Sequence, residues 1–262
     1  MHLPVGVLGV ILWSVTAHAQ NPLAYTPDAR VASLAGSGAA LSGPAALWIN
    51  PAGVGGEYDW SFGASVLQLT GISRVKVATG HAHYRKLAIH LAAARVGDYA
   101  AHRYGLSYAR PISPKIRIGG GLAVFRQGVA GYWRQTGVVA RFGGQFKLSD
   151  ALRLGAYTAL PSDRRMHEVR VGAGFRYAIN ADVSLLLDVL RDGEWGWSTH
   201  SALRYAPSES LILRLGYDGA AGAFSLGCSF ALGNVGEADV AARYHPRLGT
   251  GGGAGIYRAG IR

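Results

Sequence analysis

The chain has a single cysteine, Cys228, in 262 residues, so no intramolecular disulfide can staple the fold. Phe224, Leu226 and Phe230 share its parity, which places the thiol on an apolar face as a small hydrophobe rather than a reactive group. Charge is scarce at 16% of residues, and negative charge is scarcer: 15 acidic side chains stand against 26 Lys and Arg, for a net charge of +11. Long hydrophobic runs are missing as well. Outside the N-terminus none reaches the roughly 18 apolar residues that a spanning helix needs, although 49% of the chain is hydrophobic. No Ser-His-Asp, metal-ligand or nucleotide-binding motif is present, so neither an enzyme nor a cofactor is expected. His81 and His83 share one strand face, but no third ligand accompanies them and no metal site is assigned.

What is present is an alternation of period two, repeated from residue 57 onward. Val169, Val171, Ala173, Phe175 and Tyr177 share one parity, whereas Arg170, Gly172, Gly174 and Arg176 share the other. Val183, Leu185, Leu187 and Val189 continue the pattern, as do Leu203 and Tyr205 and then Leu211, Leu213, Leu215 and Tyr217. Such a period sends one set of side chains to each face of a sheet. Turns near Arg85, Ile112 to Pro114, Ser149, Asn180, Pro207 and Gly233 are preceded by Tyr84, Tyr108, Phe146, Tyr177, Tyr205 and Phe230. Aromatics recurring at one height form an interfacial girdle, because amphipathic rings settle at the headgroup level.

The expected fold is therefore all-β, a transmembrane antiparallel barrel of about fourteen strands. Its first strand is expected around Tyr58 to Val66 and its last around Ile256 to Arg262, with a bulge near Gly80 where the parity slips. The arginines fall singly on the face opposite the aliphatics, which reads as a basic interior and not a nucleic-acid patch. Three regions follow. Residues 1–19 read as a signal peptide, with an apolar run from Leu3 to Val15 before Ala17-His18-Ala19. Residues 20–56 break the alternation and are too rich in small residues to build a core of their own, which places them as a plug inside the lumen of the barrel formed by 57–262. Gly119 to Gly121 lie mid-strand, where close approach of that segment accounts for them, and Gly251 to Gly253 are expected in a turn.

The run from Ala29-Arg30 through a small-residue stretch to Trp48-Ile49-Asn50-Pro51-Ala52-Gly53 resembles the N-terminal hatch of the outer-membrane long-chain fatty acid transporters, the FadL-type barrels, a superfamily that includes the PorV-like barrels of type IX secretion. It departs from the family pattern at Ser33 and Leu34, where a glycine and a methionine are usual, and at Ser42 and Gly43, where an acidic pair is usual. The resemblance implies an integral protein of the bacterial outer membrane, surrounded by its lipid. It also implies passive transport of hydrophobic or amphipathic anionic, fatty-acid-like small molecules past a hatch made of Arg30, Trp48, Asn50, Pro51, Ala52 and Gly53. The alternative it leaves open is a non-enzymatic partner of secretion or envelope proteins. Inward arginines, Arg141, Arg153, Arg170, Arg176, Arg204 and Arg214 among them, are the candidate ligand groups, since a guanidinium offers a carboxylate two donors in one plane. A lateral opening beside a greasy pocket would favour transport; an unbroken wall with a tightly packed plug would favour the partner role.

Overall fold

The computed structural model describes residues 28–55, 58–69, 75–163, 169–193 and 196–260. The expected signal peptide at 1–19 lies outside them.

Fourteen antiparallel strands close into one barrel, each paired with its sequence neighbours and β1 with β14. They are β1 (Trp60–Gln68), β2 (Lys76–Tyr84), β3 (Leu87–Val96), β4 (Tyr99–Pro111), β5 (Ile116–Val129), β6 (Trp133–Lys147) and β7 (Leu152–Pro161), followed by β8 (Arg170–Ala178), β9 (Val183–Asp192), β10 (Gly196–Ser208), β11 (Leu211–Asp218), β12 (Ala223–Ala231), β13 (Glu237–His245) and β14 (Gly249–Gly260). Closure leaves no sheet edge, the condition for β-structure in hydrocarbon. The first and last strands meet at Trp60 and Gly260, so the start of β1 and the finish of β14 lie at the same end, here called the terminal end.

The outer face is apolar throughout its middle, with Leu91, Leu122, Leu187, Leu215 and Leu226 exposed, and Tyr84, Tyr108, Phe146, Tyr177, Tyr205 and Phe230 stand outward beside the terminal-end turns. Cys228 shares that face, at intermediate exposure. No water-soluble surface presents so much contiguous apolar area; lipid is its solvent.

Three local expectations fail. The pairing of β2 with β1 and with β3 runs without a break past Gly80, so there is no bulge. Val75 and Val77 are odd because they face the interior, at 5% and 0% exposure, whereas Tyr84 faces lipid. A register shift does occur in β10, between Tyr205 and Ser208. The last strand is also longer than expected: Gly251 to Gly253 belong to β14, where Gly253 lies across from Leu67 and a Cβ would sit 2.5 Å from the Leu67 side chain.

Residues 28–55 pack against the inward faces of the strands. Asp28 caps the one-turn helix α1 (Ala29–Ser33) by accepting from the Val31 amide, and Pro44–Trp48 and Pro51–Gly53 form two 3-10 turns with proline at their starts. Glycines on the wall make room. At Gly119 a Cβ would lie 2.5 Å from the Ala52 nitrogen, and at Gly143 it would overlap the Asn50 amide oxygen.

Candidate functional site: the inner segment and the lumen

The inner segment is too short to hold itself together, so its polar backbone is satisfied largely by the wall. Asn50 is fully buried. Its Oδ1 accepts from the Ala52 amide at 3.0 Å, while Nδ2 donates to the Ala39 carbonyl at 2.6 Å and reaches the Gly144 and Ala156 carbonyls of β6 and β7 at 3.2 and 3.3 Å. Pro51, Ala52 and Gly53 complete the turn, and Gly53 is packed so closely that a Cβ would fall 2.3 Å from the Leu41 carbonyl oxygen.

The candidate arginines divide by what they hold. Arg141 donates to the Leu47 and Ile49 carbonyls at 3.0 and 2.8 Å, and Arg153 to the Ser42 hydroxyl. Arg170 pairs with Asp192 at 3.0 Å. Arg214 pairs with Asp239 at 2.9 Å; the same carboxylate takes Arg30 from α1 at 2.8 Å, and Arg30 reaches Glu237 as well. The Arg30 guanidinium also lies 4.1 Å over the ring of Tyr257. Arg176 and Arg204 face the interior half-buried, each engaged by a neighbour. Three further interior groups join them. Arg243 pairs with Asp218, Arg117 donates to the Val54 carbonyl, and Asp188 receives the Gly38 and Ala39 amides at 2.6 and 2.9 Å. Most of these cations anchor the inner segment or balance a carboxylate.

The opposite side of the lumen differs, and its residues escaped the sequence reading. Leu67, Val77, Ala94 and Ala101 are adjacent in register across β1 to β4, all inward and all 3% exposed or less. With Ala92 and Phe125 they form one apolar cluster that continues onto Trp48 and Ile49 of the inner segment. At the foot of this lane sits Arg103 of β4, 6% exposed. Its guanidinium lies between two aromatic faces, 5.5 Å from Trp48 and 5.2 Å from Phe125, and no carboxylate pairs with it among the described residues. His90 stands edge-on to Trp48 with ring centres 5.0 Å apart. The Arg103 Nε, the Trp48 Nε1 and both ring nitrogens of His90 are buried without a hydrogen-bond partner. Unpaired buried polar groups cost about 1 to 3 kcal/mol each, so a cluster of them is a place where an incoming polar group is rewarded.

The signal for this cluster was in the acidic residues rather than the basic ones. Between Asp59 and Asp150 the sequence carries one acid, Asp98. An inward arginine on β2 to β6 therefore has no carboxylate on its own or adjacent strands to meet.

The wall is closed along the paired registers, and a lateral opening is not found among the described residues. An apolar depression of about 500 Å³ does mark the lipid side, lined by Leu203, Leu213, Leu215, Leu226, Cys228 and Val240, but the buried Arg214 closes its floor. No group of three or more His, Cys, Asp or Glu side chains able to hold a metal occurs among the described residues.

No protein-family model and no curated protein sequence matches the chain. Its fold is similar to that of solved outer-membrane channels. A structure described as the CymD monoaromatic hydrocarbon channel superposes with a TM-score of 0.70 at 11% identity, covering 91% of this chain and 99% of the other. The Pseudomonas putida toluene transporter TodX gives 0.64 at 12% identity over 87% and 95%. A Pseudomonas aeruginosa FadL homologue gives 0.54 at 12% identity over 88% and 96%. The barrel architecture is thus of the FadL type.

Proposed function

We propose that this integral outer-membrane barrel passes hydrophobic small molecules through its lumen, that residues 20–56 act as its plug, and that amphipathic carboxylates of the fatty-acid kind are its preferred cargo. The fold and the lipid-facing exterior locate it in the bacterial outer membrane, and channels of the same fold are described as carrying monoaromatic hydrocarbons and toluene. The supporting observation is the apolar lane from Leu67 and Val77 down to Trp48, ending on the unpaired donors of Arg103, Trp48 and His90. A hydrocarbon tail lies against the lane at no polar cost, while a carboxylate at its foot takes the planar donor set of Arg103. Trp48 belongs to the plug and Arg103 to the wall, so an anion bound there competes with the contact that holds one against the other. On this reading Arg141 and Arg153 seat the plug; Arg170 and Arg214 brace the lumen, and Arg176 and Arg204 are interior cations beside it. The chain performs no chemistry on the cargo, and no cofactor is assigned to it.

Uptake of labelled octanoate and of toluene into vesicles, with and without the protein, tests this. Both should enter faster with the protein, and Arg103→Met should reduce octanoate entry about tenfold while sparing toluene. Equal loss of both would remove the carboxylate assignment. No protein-dependent entry of either would remove transport altogether.

The closed wall and the densely bonded plug favour a second reading, a non-enzymatic partner of secretion or envelope proteins. Cells lacking the protein would then lose export of secreted proteins with unchanged octanoate uptake.

A further inference from the structure

The outer face carries a feature that transport does not use. Lys76, Arg95, Arg126 and Arg134 have the parity of the lipid-facing side chains on β2, β3, β5 and β6, and all four are exposed. They lie at the end of the barrel opposite the terminal end. Lys76 and Arg95 are direct register partners, and the same row continues through Ala100 and Gly128 to Arg134. Arg126 stands one outward position nearer the middle, across from His102. Strands lie about 4.8 Å apart, so the four cations span roughly 19 Å of the rim. Immediately towards the middle the outward residues are Ala78, Ala93, His102 and Thr136 around Arg126, and one outward position further come Leu91, Tyr104, Val124 and Val138, which places the row at the boundary between hydrocarbon and headgroups.

No Asp or Glu occupies an outward position on β2 to β6, and no ion pair to the four cations is found among the described residues; the acids at this end of the flank are Asp98, in the turn between β3 and β4, and Asp163 after β7, which accepts from the Gln135 amide at 3.1 Å. Across the barrel at the same end the outward positions of β10 to β14 hold Trp197, Tyr217, Phe224, Tyr244 and Thr250, with no cation among them, and Arg191 of β9 lies 5.9 Å over the Trp197 ring. The cluster of outward cations is therefore on β2 to β6, with Arg191 standing singly against an aromatic. That end faces the cell exterior, because the two longest sequence intervals between consecutive strands, from Gln68 to Lys76 and from Pro161 to Arg170, separate strand ends there, whereas turns at the periplasmic side of such barrels are short.

We infer that this flank binds a phosphorylated glycolipid of the outer leaflet, with the phosphates of its lipid A headgroup on Lys76, Arg95, Arg126 and Arg134 and its acyl chains against the leucine and valine surface below. Arginines are suited to phosphate oxygens, and basic residues beside an anionic leaflet attract it in a way that salt screens.

The test uses the full chain in nanodiscs of phosphatidylethanolamine. Native mass spectrometry should show diphosphorylated lipid A retained by the wild type, with at least tenfold weaker retention in the quadruple variant Lys76→Gln/Arg95→Gln/Arg126→Gln/Arg134→Gln. Dephosphorylated lipid A should bind weakly to both, and Arg110→Gln/Arg258→Gln, at the terminal end, should retain the lipid like the wild type. Should the quadruple variant fail to fold, Lys76→Gln/Arg95→Gln alone is expected to weaken retention at least threefold. Undiminished retention in the variants, equal retention of the dephosphorylated lipid, or equal retention of phosphatidylglycerol each overturns the assignment.

Discussion

The two flanks of the lumen use the same residue types to opposite effect. On β8 to β14 three interior arginines meet an acid, Arg170 with Asp192, Arg243 with Asp218 and Arg214 with Asp239, which also takes Arg30 from α1. On β1 to β5 the interior is apolar at the end opposite the terminal end, at Leu67, Val77, Ala94 and Ala101, and turns polar below it, at Ser65, Thr79, His81 and His83; there Arg103 meets aromatic faces and no carboxylate among the described residues. An arginine in a barrel therefore says little about ligands until its counter-charge is located. The paired flank is structural framework, and the unpaired flank is where an anion would change the energy most.

Breaking the paired flank should have the largest effect. Asp239 is 1% exposed and also accepts from the Ser229 hydroxyl, so Asp239→Ala strands the buried Arg214 guanidinium and leaves Arg30 with Glu237 as its carboxylate. Removing one partner of a buried ion pair costs about 3 to 5 kcal/mol. Urea unfolding from phospholipid vesicles should show a loss of that size, and an unchanged midpoint would mean that the pairs contribute nothing. The same contacts set the cost of an inward substitution. Ser229 faces the lumen yet is sealed between Arg214 and Asp239, so Ser229→Arg is predicted to be as damaging as a charge placed on the outside.

Next in size is the wall itself. Leu122, in the middle of β5, is 59% exposed to lipid, whereas its neighbour Ala123 is buried against the interior. Leu122→Arg should cost about 2 to 4 kcal/mol, the range for a lipid-facing cation near the midplane. A negligible cost by the same unfolding assay would mean that this face meets water, and the two-flank description of the interior would lose its frame.

How much of this could be read in the sequence follows from range. The alternation and the aromatic girdle are local patterns, so fourteen strands and their outward faces were legible from neighbours two residues apart. The bulge expected at Gly80 was an error of the same locality. A change of parity between Val77 and Tyr84 was taken as a slip, when the interior at that height is itself apolar and Val77 belongs there. Pairings were out of reach because they join distant segments: Arg30 with Asp239 is 209 residues apart, and Asp188 with Gly38 is 150. The resemblance singled out Asn50 in the sequence, yet its bonds to three carbonyls depend on register that no local pattern contains.

The inner segment adds a pH term. Asp28 is 1% exposed, and burial raises its carboxyl from 3.8 to about 6 despite the Val31 amide and Arg30. An acid raised in the folded state favours the fold in its protonated form. Its contribution is complete below about pH 4, is lost as pH climbs through 6, and is flat beyond that. At 1.36 kcal/mol per unit the whole effect is about 3 kcal/mol at most. Hydrogen exchange at residues 28–35 should therefore speed up between pH 4 and 6 once corrected for intrinsic rate, and Asp28→Asn should abolish that component.

The smallest effect on stability is expected where function is proposed. Arg103 has a full desolvation cost and no ionic return, so Arg103→Met, which keeps the length and the contact with Trp48 and Phe125, should leave the unfolding midpoint within about 1 kcal/mol or raise it. Asp239→Ala and Arg103→Met thus alter the same kind of buried charge from opposite sides of the barrel. If both destabilise equally, Arg103 is framework and the flanks do not differ. If only Asp239→Ala does, and Arg103→Met removes octanoate selectivity without cost to the fold, the unpaired cation is retained for an anion that arrives from outside.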